Sequence, residues 1–149
     1  MKYNILSESL DALLQTQPAE ISVLSNTSAF IFENIENLNW AGFYLFDGKK
    51  LILGPFQGKV ACSSIELGKG VCGEAAIKRE TLVIDDVLSH ANHIACDSHS
   101  RSEVVVPIIF NDKLYGVLDV DSPVFNRFDQ DLVEFFESLV DILVKSIDK

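Results

Sequence analysis

The sequence has few cysteines, three in 149 residues, and none stands in a C-x-x-C pair. Disulfide frameworks belong to small secreted domains that cannot bury a core, and paired cysteines are the usual signature of structural zinc. Neither is expected here, and no metal is assigned. No apolar run reaches the ~18 residues that span a bilayer. Basic residues are scarce: 12 Lys and Arg face 22 Asp and Glu, for a net charge of −10. Such a chain repels phosphate backbones and anionic lipid surfaces, and its scattered cations form no counterion-releasing stripe. Nucleic acid and membranes are therefore not expected partners. Met1-Lys2-Tyr3-Asn4 leads into a polar, helix-like segment with no apolar signal core, so a cytoplasmic, reducing location is expected. No P-loop, dinucleotide fingerprint or Ser-His-Asp arrangement occurs. No repeat or Pro/Gly/Ser-rich linker divides the chain, so one domain over 1–149 is the simplest organisation.

What is present suits a core. Apolar residues make up 48% and charged residues 23%, and the aromatics are ten Phe, three Tyr and one Trp. Residues 3–16 and 19–36 carry helical apolar spacing, with Pro18 between them. Residues 40–46 and 51–56 read as strands joined at Asp47-Gly48, a hairpin signal. Residues 61–67 read as a third strand, 74–78 as a short helix and 81–84 as a short strand. The stretch 85–102 is polar and aperiodic, and long loops in compact domains tend to carry function. Residues 103–110 and 114–120 then form a hairpin about Asn111-Asp112, although Pro107 requires an irregularity or an edge. Residues 129–147 form an amphipathic helix. Hairpins without strand–helix–strand alternation predict an α+β fold, a mostly antiparallel central sheet with helices packed on it.

Each of Cys62, Cys72 and Cys96 could be a buried small hydrophobe. Their settings suggest more. Cys62 opens a predicted strand. Cys72 lies in Gly70-Val71-Cys72-Gly73, near a helix N-terminus that would favour a thiolate. Cys96 lies in the polar loop beside His93, Asp97 and His99. Such thiols can pair a nucleophile with resolving partners, because a sulfenic acid condenses with a nearby thiol. Asp119 and Asp121, two apart on a strand, share a face. The hairpin sets Glu103 opposite residues near 120, so three carboxylates converge. They are either a solvated sheet end or a site for an ammonium group or a shared proton. Trp40 and Tyr44 lie four apart on one face and either wall a small-molecule pocket or belong to the core. His90, His93 and His99 read as loop or supporting residues.

Four pieces of the chain together resemble the free methionine-(R)-sulfoxide reductases, a stand-alone GAF-domain family. They are Asn39-Trp40-Ala41-Gly42-Phe43-Tyr44-Leu45, Leu53-Gly54-Pro55-Phe56-Gln57-Gly58, Gly68-Lys69-Gly70-Val71-Cys72-Gly73 and Gly116-Val117-Leu118-Asp119-Val120-Asp121-Ser122. The resemblance covers roughly residues 1–147, and the cysteines fall at the family's spacing. It implies a GAF-like fold and reduction of free L-methionine-(R)-sulfoxide through a cysteine sulfenic acid and an intramolecular disulfide. It implies Cys96 as nucleophile, Cys72 as main resolving cysteine and Cys62 as an additional one. Glu103, Asp119 and Asp121 would surround the substrate, with Trp40 and Tyr44 as pocket aromatics. No cofactor is implied. Thioredoxin would be the external reductant, and a homodimer is expected. A GAF small-molecule sensor and a thiol redox switch without turnover are the alternatives. A GAF fold alone does not decide among them.

Overall fold

The computed structural model describes residues 3–17, 19–91 and 99–147. Helices α1 (Asn4–Gln15) and α2 (Glu20–Asn34) precede a meander of strands β1 (Trp40–Phe46), β2 (Lys50–Gly58) and β3 (Ser64–Glu66). Helix α3 (Gly70–Lys78), strand β4 (Leu82–Ile84) and a 3-10 turn (Val87–Ser89) follow. The hairpin β5 (Ser102–Phe110) and β6 (Lys113–Ser122) leads to α4 (Gln130–Ile147). The strands form one antiparallel sheet in the order β3-β2-β1-β6-β5-β4.

Local chemistry explains the elements. At the β1–β2 turn the Asp47 carboxylate accepts the Lys49 and Lys50 N–H groups, both at 2.9 Å. Asp129 caps α4 by accepting the Leu132 N–H at 2.9 Å. Pro107 falls where β5 is an edge: β4 pairs only with Glu103–Val105, and the register slips between Ile108 and Ile109.

Two expectations need correction. The strand predicted over 61–67 shrinks to Ser64–Glu66, and Cys62 lies on the connection before it. The short helix begins at Gly70, before the predicted 74. Glycine permits that early start: a Cβ on Gly73 would meet the Glu66 carbonyl oxygen at 2.4 Å.

Pleating divides the sheet into two faces. Ala41, Phe43, Val104, Val106, Ile108, Leu118 and Val120 point to α1, α2 and α4, where Leu14, Leu24, Ile31, Leu132, Phe136 and Leu143 complete the main core. The alternate residues Trp40, Tyr44, Val105 and Val117 point to the opposite face and meet α3 through Val71, Cys72, Ala75 and Ala76.

Candidate active site

The second face carries the side chains singled out from the sequence. Trp40 and Tyr44 come from β1, Glu103 from β5, and Asp119 and Asp121 from β6. Backbone register assembles them: Glu103 pairs with Asp121, Trp40 with Asp121, and Gly42 with Asp119. Helix α3, packed on this same face, adds Cys72. The Cys72 sulfur and one oxygen each of Glu103 and Asp119 lie within 4.8 Å of one another.

The electrostatics of this cluster are unusual for its depth. Glu103 is 7% exposed and Asp119 is 6% exposed. Burial pushes the Glu103 carboxyl well above the usual glutamate range, and Asp119 and Asp121 add to the shift as neighbouring charges and hydrogen-bond partners. Two carboxylates can hydrogen-bond only by sharing a proton, so Glu103 is held as the acid. The Cys72 thiol is pushed up by burial first and then by Asp119, Glu103 and Asp121. This reverses the sequence expectation of a thiolate. Cys72 does lie near the start of α3, but burial beside acids outweighs a partial helix charge.

The aromatic wall is built by the first hairpin. Trp40 stacks on Phe56 at a centroid distance of 5.0 Å and on Tyr44 at 5.9 Å. Its indole N–H donates to the Lys59 carbonyl at 3.1 Å. Gly58 makes room: it has φ +136°, and a Cβ there would lie 2.6 Å from Trp40 Cδ1. The Tyr44 hydroxyl donates to the Cys62 carbonyl at 2.9 Å. Burial and the nearby acids hold that phenol protonated.

The three cysteines differ. Cys72 is a free, buried thiol. Cys62 is half-buried and disulfide-bonded. Cys96 and His93 lie outside the described residues. The trio of Cys72, Glu103 and Asp119 offers donors to a metal ion. Hydrogen bonds donated to Asp119 by both Glu103 and Cys72 already account for the trio's proximity.

Sequence reasoning missed one wall residue and two contacts. Phe56 completes the aromatic stack, and the hairpin register that sets it opposite Gly42 was the available signal. The Asn39 amide donates to the Ser100 hydroxyl at 3.1 Å, fixing the chain where it rejoins β5. His90 Nε2 lies 3.0 Å from Glu74 Oε2. Neither of these two contacts carries a local signal.

A family model described as GAF domain matches residues 22–148. The free methionine-R-sulfoxide reductase of Escherichia coli (strain K12) is 43% identical over 143 residues, covering 96% of this chain and 87% of that protein. The free methionine-R-sulfoxide reductase of Saccharomyces cerevisiae (strain ATCC 204508 / S288c) is 46% identical over 146 residues, covering 93% and 81%. The solved structure of fRMsr of Staphylococcus aureus in complex with substrate superposes with a TM-score of 0.92 at 46% identity, covering 97% of this chain and 95% of that one. The chain belongs to the GAF-domain family and, within it, to the free methionine-R-sulfoxide reductases.

Proposed function

We propose that this protein reduces free L-methionine-(R)-sulfoxide to L-methionine by thiol chemistry. The observation that carries this reading is the buried cluster of Glu103, Asp119 and Cys72 on the face walled by Trp40 and Tyr44. Ionised members of the carboxyl cluster pair with the substrate ammonium. A peptide or acetylated amine would offer them only a neutral amide, leaving buried charge uncompensated. Glu103, held as an acid by burial and then by its acidic neighbours, can donate to the sulfoxide oxygen. Trp40 packs on the S-methyl group and helps select the epimer.

The Cys96 thiolate attacks the sulfoxide sulfur. The new S–S bond and protonation of the oxygen break the S–O bond and release water. Water then adds to the Cys96 sulfur as the S–S bond breaks, so methionine leaves and Cys96 is left as a sulfenic acid. A second thiol then displaces water and closes a disulfide. The sequence reading put Cys72 first in that role. We propose Cys62 instead, because Cys62 is disulfide-bonded whereas Cys72 is a buried free thiol beside acids. Cys72 then helps shape the site and serves as the secondary thiol. A thioredoxin-type dithiol returns the enzyme to its reduced form by exchange. The cycle is complete without a cofactor, and a reducing cytoplasm suits it. A homodimer is carried over from the family resemblance alone.

An NADPH–thioredoxin-coupled assay tests the reading, using separated free (R)- and (S)-sulfoxides and N-acetylated (R)-sulfoxide. Consumption with the free (R) form alone is expected. Equal rates with the acetylated form would remove the ammonium role from the acids. No turnover with any substrate, given active reductant, would leave a sensor or a redox switch.

A further inference from the structure

The reaction proposed above uses neither a histidine nor the glutamate in the middle of α3, yet the two meet. His90 Nε2 lies 3.0 Å from Glu74 Oε2, with the side chains only 24% and 19% exposed. The other Glu74 oxygen takes Lys78 Nζ at 2.9 Å, so the carboxylate is oriented from two sides. At this partial burial the His90 contact is screened less than a surface pair.

Position gives the contact its meaning. Glu74 stands two residues after Cys72 on α3. His90 follows the 3-10 turn and stands six residues before Cys96. The turn is itself well anchored. Val87 is buried, and its N–H donates to the Arg101 carbonyl at 2.8 Å. The Arg101 N–H in turn donates to the Ser122 carbonyl at the end of β6, also at 2.8 Å. Asp86 accepts from the Leu88 N–H at 3.0 Å and the Ser89 hydroxyl at 2.9 Å. The turn is thus tied to the sheet at one end and, through His90, to α3 at the other.

We propose that Glu74 and His90 are a positioning pair for the thiol chemistry. Their contact holds His90, six residues before Cys96, against the helix that carries Cys72. The inference rests on the thiol reading above. The pair acts through the backbone it fixes, not on the reacting atoms. Substrate affinity depends on carboxylates mounted on the sheet and is independent of the pair. The rate of sulfur attack depends on how well the nucleophile is oriented, and small losses of alignment cost large factors in rate.

Single-turnover kinetics on the reduced full-length protein separate the two. Methionine formed from free methionine-(R)-sulfoxide gives a saturating rate and a half-saturating concentration. E74A and H90A are each expected to lower the saturating rate about tenfold, with the half-saturating concentration unchanged. The double variant should be no slower than either single variant, because both remove one contact. E74Q keeps a hydrogen bond to the imidazole and should recover most of the rate. K78A removes the ion pair at the other Glu74 oxygen and should match wild type. Wild-type rates in E74A and H90A, or losses that multiply in the double variant, would overturn the pair while leaving the thiol reading intact. A wild-type protein that forms no methionine would overturn both.

Discussion

The two faces of the sheet come from the same strands and are built to opposite rules. Toward α1, α2 and α4, the strand residues Ala41, Phe43, Val104, Val106, Ile108, Leu118 and Val120 are all apolar and buried. Burying a large aliphatic or aromatic side chain of this kind stabilises by roughly 1.5–3 kcal/mol. One residue along each strand, the other face also buries Glu103 and Asp119. Burial there opposes the charged form, and the acids persist by sharing protons and hydrogen bonds. Pleat parity therefore separates the part of the sheet that holds the fold from the part that can do chemistry. A one-residue slip would exchange them, so the β5–β6 register is as much a functional feature as a structural one.

Neighbouring positions on β6 break the comparison most directly. Leu118→Ala, on the helical face, should cost about 2–5 kcal/mol in urea unfolding through lost burial and a cavity. Its activity per folded molecule should stay near wild type. Asp119→Asn, one residue on, should do the reverse. Turnover of the free sulfoxide should fall by roughly 10²–10⁴ as the charge and proton network is lost. The unfolding midpoint should hold or rise, because a crowded buried charge has gone. A large stability loss in Asp119→Asn with activity intact would erase the distinction.

Glu103 sharpens it through pH. Its folded-state pKa is raised above the ordinary value of 4.5, so the folded protein holds a proton that the unfolded chain releases. The stability from that proton is complete below the ordinary value and is lost as pH rises through the elevated one. Denaturant midpoints across the acid-to-neutral range should fall with rising pH, and Glu103→Gln should flatten that slope. A slope unchanged by Glu103→Gln would place the proton elsewhere. The smallest effect belongs to Tyr44→Phe, which deletes the hydroxyl bonded to the Cys62 carbonyl. It should cost about 1 kcal/mol by thermal unfolding and leave substrate selectivity in place.

Much of the fold was legible because its signals are local. Helical spacing marked α1, α2 and α4, and Asp47-Gly48 and Asn111-Asp112 marked the two hairpins. The second hairpin also made the convergence of Glu103 with Asp121 readable, since register follows from where the turn sits. Other features depend on what arrives from elsewhere. The state of the Cys72 thiol was misread because the helix terminus is visible in the sequence, whereas the acids that face it come from β5 and β6. The helix start at Gly70 depends on close approach to the Glu66 carbonyl. His90 and Glu74 lie on separate elements, with no periodicity to link them. Cys96 was singled out by its polar loop and given the nucleophile's role by resemblance, and it lies outside the described residues.

The central claim is that the polar face is built to receive a free amino acid carrying a positive charge. Titration calorimetry on reduced Cys96→Ser protein, which cannot turn over, tests it directly. The account predicts that free methionine-(R)-sulfoxide binds and that the N-acetylated form binds at least about a hundredfold more weakly. Equal affinity for the two would contradict it.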